Sequence, residues 1–497
     1  MKTLTLAGTL TLTAAVAVAS LPPDVVRLRN SLGRPDGNNV RTLRPRAEAI
    51  TSQAANHAFK AWDFLVNSSA LPLVTFPLQN SYAGRLPISS KKNESRQLSF
   101  WYWPSSASGG SQKLSIWLNG GPGCSSFTGF LTENGPISFK AGASAPSFNP
   151  YAWTSASDMV SIVYPVGTGF TLGTPNITDE NQLADQFYGF LRSFSDTVFP
   201  NLVKKELYIT GESYAGFYIP YIASRILHAS SSEKKKLPLN LQSLLMIDGV
   251  YSSFIVGEEV PVAAFAKKNQ QILGLNNTVI QELQNITQSC GYQKILDAST
   301  YPPKGKIPLP NGNQDSIKDS CEAFGLFYEA ASEANPCFDI YRVTDKCPTP
   351  RDNLEPYFSR ADVQKALHFD NFGNWSQCSN NPVFVNNTDN SNYSETLFPD
   401  LLTQLPRGFS LWHGLIDSIL LSEGTRITIQ NLTWGGYQGF QKPITTPWSV
   451  NGTKHGLYHS ERKLTYIEFD NAGHMIPQDQ PEAALHAFKW VLNGGTL

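Results

Sequence analysis

Six residues hold the arrangement best suited to chemistry: Gly211-Glu212-Ser213-Tyr214-Ala215-Gly216. A strand-like run, 206–210, leads into them, and a helix-like run, 217–227, leads out. A serine at such a turn has its hydroxyl lifted out of a sheet and set at a helix N-terminus, where negative charge is stabilised. Small neighbours let strand and helix approach closely. The general pattern G-x-S-x-G is broken once, with Ala215 in the place of the second Gly and Gly216 following. Ordinary turns carry similar runs, so the chemistry must be argued from the rest of the chain.

A serine nucleophile needs a base, and an acid that orients the base. In a hydrolase built from alternating strands and helices the chain order is serine, acid, histidine. Among eight histidines, His474 follows a late strand-like run in the turn FDNAGHMIP, where an imidazole can reach back over a sheet edge. Asp417 follows the strand-like GFSLWHG by a short turn. His413 is the rival base, but it falls within or at the end of that strand. Asp470 is the rival acid, but it ends the same strand that precedes His474. Ser213, Asp417 and His474 are therefore the expected triad. A second constellation, WLNGGPGCSS at 117–126, runs a strand into consecutive glycines. Glycines let backbone N–H groups face a ligand closely, as an oxyanion hole requires. The N–H of Tyr214, just after the nucleophile, supplies a further donor.

The elements that must position these groups read as strands at 96–104, 113–121, 159–165, 206–210, 244–249, 408–414 and 463–470. Helical spacing recurs at 181–199 and 482–492. Strand–helix alternation predicts an α/β fold with a mostly parallel sheet covered on both faces. The stretch 252–355 breaks the pattern: helical and polar first, then rich in Pro, Gly and Cys, with four of the six cysteines. It reads as an insertion that caps the sheet, stapled by disulfides. Neither internal repeats nor coiled-coil heptads are evident.

The 497 residues begin with a secretory pattern: Lys2, an apolar run over 4–18, and the small-residue site Ala17-Val18-Ala19. That run is shorter than the roughly 20 residues of a membrane span, and no later segment spans either. Residues 1–19 are the expected signal peptide and 20–50 a propeptide or flexible leader with six Arg. A catalytic domain over 51–497 follows. Without residues 1–50 the chain has 32 basic and 37 acidic residues, a formal net charge of −5, which argues against nucleic-acid binding. Six cysteines in a secreted chain argue for disulfides, and the lack of any C-x-x-C pair argues against a zinc or redox site. Ten N-x-S/T sequons, at Asn67, Asn93, Asn176, Asn276, Asn285, Asn374, Asn386, Asn392, Asn431 and Asn451, point to a glycosylated secreted or vacuolar protein.

In order and spacing, WLNGGPGCSS, ENGP (133–136), PVGTGF (165–170), GESYAG and AGHMIP (472–477) resemble the serine carboxypeptidase family. SYAGRLPI (81–88) resembles its opening strands, and QNLTWGGYQGFQ (430–441) its secreted fungal branch. The resemblance covers roughly residues 76–493. It implies an α/β-hydrolase fold with an inserted cap. It also implies release of single amino acids from peptide C-termini through an acyl-enzyme, at acidic pH and without metal or cofactor. By motif, Ser213, Asp417 and His474 carry over as the triad, and the N–H groups of Gly121 and Tyr214 as the oxyanion hole. Asn119, the N–H of Gly120, Glu133 and Glu212 carry over as the site for the substrate carboxylate. Three carboxylates in one pocket repel, so at least one proton is expected to stay among them. The resemblance also implies a Cys124–Cys378 disulfide. Proximity in sequence suggests Cys290–Cys321 and Cys337–Cys347 for the cap. The chain departs from the family at HGLID, where Gly-Asp is frequent, at Ser418 to Leu420, where a Cys is common, and at Phe217, where a His is frequent. These departures bear on side-chain specificity. An acyltransferase or lyase on the same fold is the nearest alternative, and a catalytically silent binding protein the next. The triad argues against the silent protein, and Asn119, Glu133 and Glu212 against the transferase.

Overall fold

The structure is a computed structural model that describes residues 60–140, 142–310, 317–348 and 354–494. The expected signal peptide and leader lie outside the described residues. Among those described, eleven strands form one sheet. In chain order they are β1 (Leu65–Val66), β2 (Ser81–Pro87), β3 (Gln97–Trp103), β4 (Lys113–Leu118), β5 (Asp158–Val163), β6 (Glu206–Glu212), β7 (Asn240–Ile247), β8 (Phe409–Gly414), β9 (Thr446–Val450), β10 (Thr453–Glu461) and β11 (Leu464–Phe469). The spatial order is β1-β2-β3-β5-β4-β6-β7-β8-β11-β10-β9. The six strands from β5 to β11 run parallel, and both flanks are antiparallel.

The central strands are buried on both faces, so they read as continuous apolar runs rather than alternating ones. Successive side chains divide between two cores. Ile116, Ile209, Leu244, Met246 and Leu411 enter one. Trp117, Tyr208, Leu245, Ile247 and Trp412 enter the other. The helices are α1 (Glu180–Arg192), α2 (Ala215–Leu227), α3 (Val262–Lys268), α4 (Asn277–Ser289), α5 (Ala323–Ala334), α6 (Ser422–Asn431) and α7 (Pro481–Asn493). α1 starts where Asp179 accepts the Gln182 N–H at 2.9 Å, an N-cap that satisfies one free donor of the first turn. It covers the first core together with α2. α7 covers the second, with Phe488 stacked on Trp153 at 3.9 Å between centroids.

Three strands were not legible as such: the two-residue β1, and β9 and β10. β9 is the edge strand and β10 pairs beside it; both have exposed positions and lack an apolar run. Their signal is the turn Asn451-Gly452, both at positive φ (51° and 83°), the geometry that a two-residue hairpin favours. Between β7 and β8 the chain contributes no strand to the sheet among the described residues. α3, α4 and α5 lie in this excursion. Disulfides join Cys290 to Cys321, Cys337 to Cys347, and Cys124 to Cys378. The last draws the 117–126 loop to the end of the excursion, where Ser125 N–H donates to Gln377 O and Ser379 N–H to Gly123 O, both at 2.8 Å.

Nine of the ten sequon asparagines are exposed. Asn431 is half-buried, and its Oδ1 accepts the Ile307 N–H at 3.0 Å. No helix among the described residues is long and apolar enough to cross a membrane.

Candidate active site

Ser213 stands between the end of β6 and the start of α2, at φ 61°. Left-handed backbone is strained for a residue with a Cβ, and here the surroundings hold it in place. Ser213 N–H donates to Ile247 O at 3.0 Å, and Ser213 O accepts from Gly216 N–H and Val250 N–H. A Cβ at Gly211 would come within 2.2 Å of Leu118 O, and one at Gly216 within 2.4 Å of Val250 O. Both positions must stay bare for the turn to close, whereas the methyl of Ala215 is accommodated and fully buried.

Asp417 and His474 come from different turns, after β8 and after β11. They meet at 2.8 Å, from His474 Nδ1 to Asp417 Oδ2. The other oxygen of Asp417 accepts from Ile419 N–H at 2.9 Å and lies 3.5 Å from Leu420 N–H. His474 Nε2 is buried with no hydrogen-bond partner among the described residues. The imidazole lies in the field of Glu212, next to Ser213. Burial alone would lower its pKa, but Asp417 and then Glu212 outweigh burial and raise it above 6.5.

The clamp on both turns comes from a segment that the sequence marked only as part of a disulfide-stapled cap. The loop closed by Cys337–Cys347 offers Tyr341 O to His474 N–H at 2.8 Å and Ile340 O to Ser418 N–H at 3.0 Å. Val343 N–H donates to Ile416 O at 3.1 Å. A short disulfide loop between two strands of a hydrolase was the available signal.

The rival groups are engaged elsewhere. His413 Nε2 donates to Leu420 O at 2.7 Å, and its Nδ1 faces Thr425 Oγ1 at 3.3 Å. Burial pushes its pKa down to about 4. Asp470 pairs with Lys454 at 3.2 Å. By spacing alone, Asp248, His413 and Asp417 lie close enough to hold an ion, within 4.8 Å. Each already has a partner within the fold: Asp248 Oδ1 the Gly414 N–H, His413 Nε2 the Leu420 carbonyl, and Asp417 the His474 imidazole.

The 117–126 loop lies directly against the elbow. A Cβ at Gly120 would come within 2.3 Å of Tyr214 N and 2.9 Å of Ser213 Cβ. This close approach sets the loop backbone against Ser213 and the backbone N of Tyr214. Gly120→Ala is therefore expected to displace one wall of that site and lower kcat by about 100-fold or more. Steady-state kinetics beside a circular-dichroism check of folding measure it; an unchanged kcat would separate the loop from the reaction.

Beside the elbow lies a pocket of carboxyls. Asn119 Oδ1 accepts from Trp117 Nε1 at 2.9 Å and Gly129 N–H at 3.1 Å, so its Nδ2 is turned to Glu212 Oε1 at 2.7 Å. Glu133 sits on the π-helical turn Phe130–Asn134, a local widening common at functional sites. Both of its oxygens are buried without a hydrogen-bond partner among the described residues. Burial, then Glu212, raises the Glu133 pKa well above the carboxylate range. Glu212 is pushed up to about 7, by burial against the pull of His474, Glu133 and Asn119. The two carboxyls lie in each other's field, and their mutual repulsion favours a retained proton on the pair.

The arrangement offers a strained serine, an imidazole paired with a carboxylate, a glycine loop packed against the serine, and two buried carboxyls with raised pKa beside it. The chain matches the family model described as serine carboxypeptidase over residues 72–494. It is 37% identical to a probable serine carboxypeptidase of Arthroderma benhamiae, with 96% of each chain covered. It is 33% identical to the serine-type carboxypeptidase F of Aspergillus niger, over 89% of this chain and 91% of that one. Among solved structures, the prohormone-processing carboxypeptidase Kex1(delta)p of Saccharomyces cerevisiae matches with a TM-score of 0.72. That match is at 24% identity and covers 87% of this chain and 96% of that one, so it bears on the fold.

Proposed function

Because this chain belongs to the serine carboxypeptidase family, we propose that Ser213 is the nucleophile, His474 its base and Asp417 the orienting acid. The protein is a serine-type carboxypeptidase, an enzyme of the α/β-hydrolase fold. In this reading Ser213 Oγ attacks the last peptide bond as His474 Nε2 takes its proton. The N–H groups of Gly121 and Tyr214 receive the oxyanion. His474 then protonates the departing amino acid, and water resolves the acyl-enzyme. Asn119, Gly120 N–H, Glu133 and Glu212 receive the substrate's terminal carboxylate.

The observation that carries this reading is the Glu133–Glu212 pair beside the elbow. A simple esterase has no use for two carboxyls holding a proton there, whereas an enzyme that reads a free C-terminus does. Residues 252–355 are proposed as the cap over this site. Entry to the secretory pathway, with removal of 1–19 and of the leader 20–50, delivers the enzyme outside the cell or to the vacuole. Glycans are expected first at the nine exposed sequons, since the Asn431 amide is held by Ile307.

N-blocked dipeptides at about pH 4–6 test the reading, a range in which a carboxyl with a raised pKa keeps its proton. Release of the C-terminal amino acid from some members of a broad panel is expected. Transfer of the acyl group to an added alcohol without any such release would favour the transferase instead.

A further inference from the structure

Asp248 is a fully buried carboxyl that the reaction above does not use. It is the residue after β7, at φ 42°, a left-handed conformation that Asp and Asn tolerate better than most side chains. Its N–H donates to Trp412 O at 2.9 Å, and its Oδ1 accepts the Gly414 N–H at 2.9 Å. The Nε2 of His413 lies 3.3 Å from the same Oδ1 while donating to Leu420 O at 2.7 Å. The turn 414–420, which carries Asp417, is thus gripped at both ends: Asp248 holds its first N–H, and His413 its last carbonyl. Asp417 itself lies within 4.8 Å of both.

We propose that Asp248 is a positioning residue for this reaction, acting through Gly414 and His413 on the turn that carries Asp417. The inference rests on the assignment of Asp417 and His474 to the triad. Of the two neighbouring carboxyls, Asp417 has more hydrogen-bond donors. Its oxygens take donors from His474, Ile419 and Leu420. Asp248 has the Gly414 N–H and the shared edge of His413, and its Oδ2 is buried without a hydrogen-bond partner among the described residues. The other ionisable groups in its field are Glu212, Glu133, Asp479 and Tyr251, none of them a cation. Burial first, and Asp417 next, hold the Asp248 proton well above the usual range, against the pull of Gly414 N–H. His413, kept neutral by burial, brings no compensating charge. A proton on Asp248 leaves the triad a single carboxylate, so the imidazolium formed during turnover faces one counter-charge in one place.

Two variants of the full-length enzyme test this, with an ester substrate that lacks a free carboxylate. Asp248→Asn copies the acid form, keeping Oδ1 for Gly414 and tolerance of the left-handed backbone. It is expected to retain kcat within about threefold and to leave the acid limb of the kcat/KM profile in place. Asp248→Ala releases the turn and is expected to lower kcat by about 10–100-fold with KM little changed, as a small misplacement of a reacting group does. If Asp248→Asn fell as far as Asp248→Ala, or moved the acid limb down by about a unit, the residue would act as a charge and the proposal would fail. Wild-type kcat in Asp248→Ala, with matching circular dichroism, would also end it. His474→Ala, run in parallel, separates the two readings. Activity surviving in that variant would overturn the triad itself, whatever Asp248 does.

Discussion

Replacing Ser213 by Ala should abolish hydrolysis of peptides and esters alike, lowering kcat by about 10⁴–10⁶-fold while the fold remains. The loss is large because serine and histidine act as a unit, and without the nucleophile no acyl-enzyme can form. The residue's backbone makes the experiment more discriminating. Ser213 is held at φ 61° by Ile247, Gly216 and Val250. Such strain costs about 1–3 kcal/mol, and a residue without a Cβ escapes most of it. Ser213→Gly should therefore be as inactive as Ser213→Ala yet unfold at higher denaturant concentration, by up to about 1 kcal/mol. Burst and steady-state kinetics, beside equilibrium unfolding, read both quantities. Turnover surviving in Ser213→Ala would move the nucleophile elsewhere.

For a peptide with a free C-terminus, KM should rise as pH passes about 7, the position to which Glu212 is pushed. The slope approaches about tenfold per pH unit for each proton lost. The sign follows from the chemistry of the pair. A protonated carboxyl donates to the substrate carboxylate, and an ionised one repels it. Peptide amides and esters, which bring no charge to the pocket, should lack this rise. The acid side is set by His474, whose pKa lies above 6.5 and which must be neutral to act as a base. The two titrations assist each other, because a proton on Glu212 removes one of the charges that raise His474. Together they bound peptidase activity on both sides, by His474 toward low pH and by Glu212 near 7. In a Glu133→Gln/Glu212→Gln double variant KM should be nearly flat across pH 6–8, a range spanning the Glu212 value. A wild-type slope in that variant would remove the pair from carboxylate recognition. Stability should respond as well. The folded protein keeps Glu212 protonated up to about 7, whereas an unperturbed glutamate releases its proton near 4.5. The contribution is intact below 4.5 and is lost as pH rises toward 7. The double variant should flatten that decline.

The tight turn at Ser213, the glycine loop packed against it and the central parallel strands were legible in sequence because each is a local requirement. A tight turn must have small residues at Gly211 and Gly216, and strands buried on both faces must be apolar throughout. The edge hairpin, β9 and β10, was not legible, since an exposed strand needs no apolar run and only Asn451-Gly452 marked it. Asp417 and His474 could be chosen by chain order. Their distance could not, because they are brought together by pairing of β8 with β11 and by the backbone of the Cys337–Cys347 loop, which is distant in sequence. The same holds for the carboxyls. Asp248 is an ordinary acidic residue on paper, and Glu133 and Glu212 stood out only through the motifs that resemble the family. Burial and one another's fields make them proton holders, and both depend on which segments the fold packs around them. The sequence by itself therefore determined the reaction class, through motifs short enough to need no tertiary context. The tertiary structure decided which groups keep their protons and how firmly the triad turns are held, since charge and geometry at a buried site are set by neighbours remote along the chain.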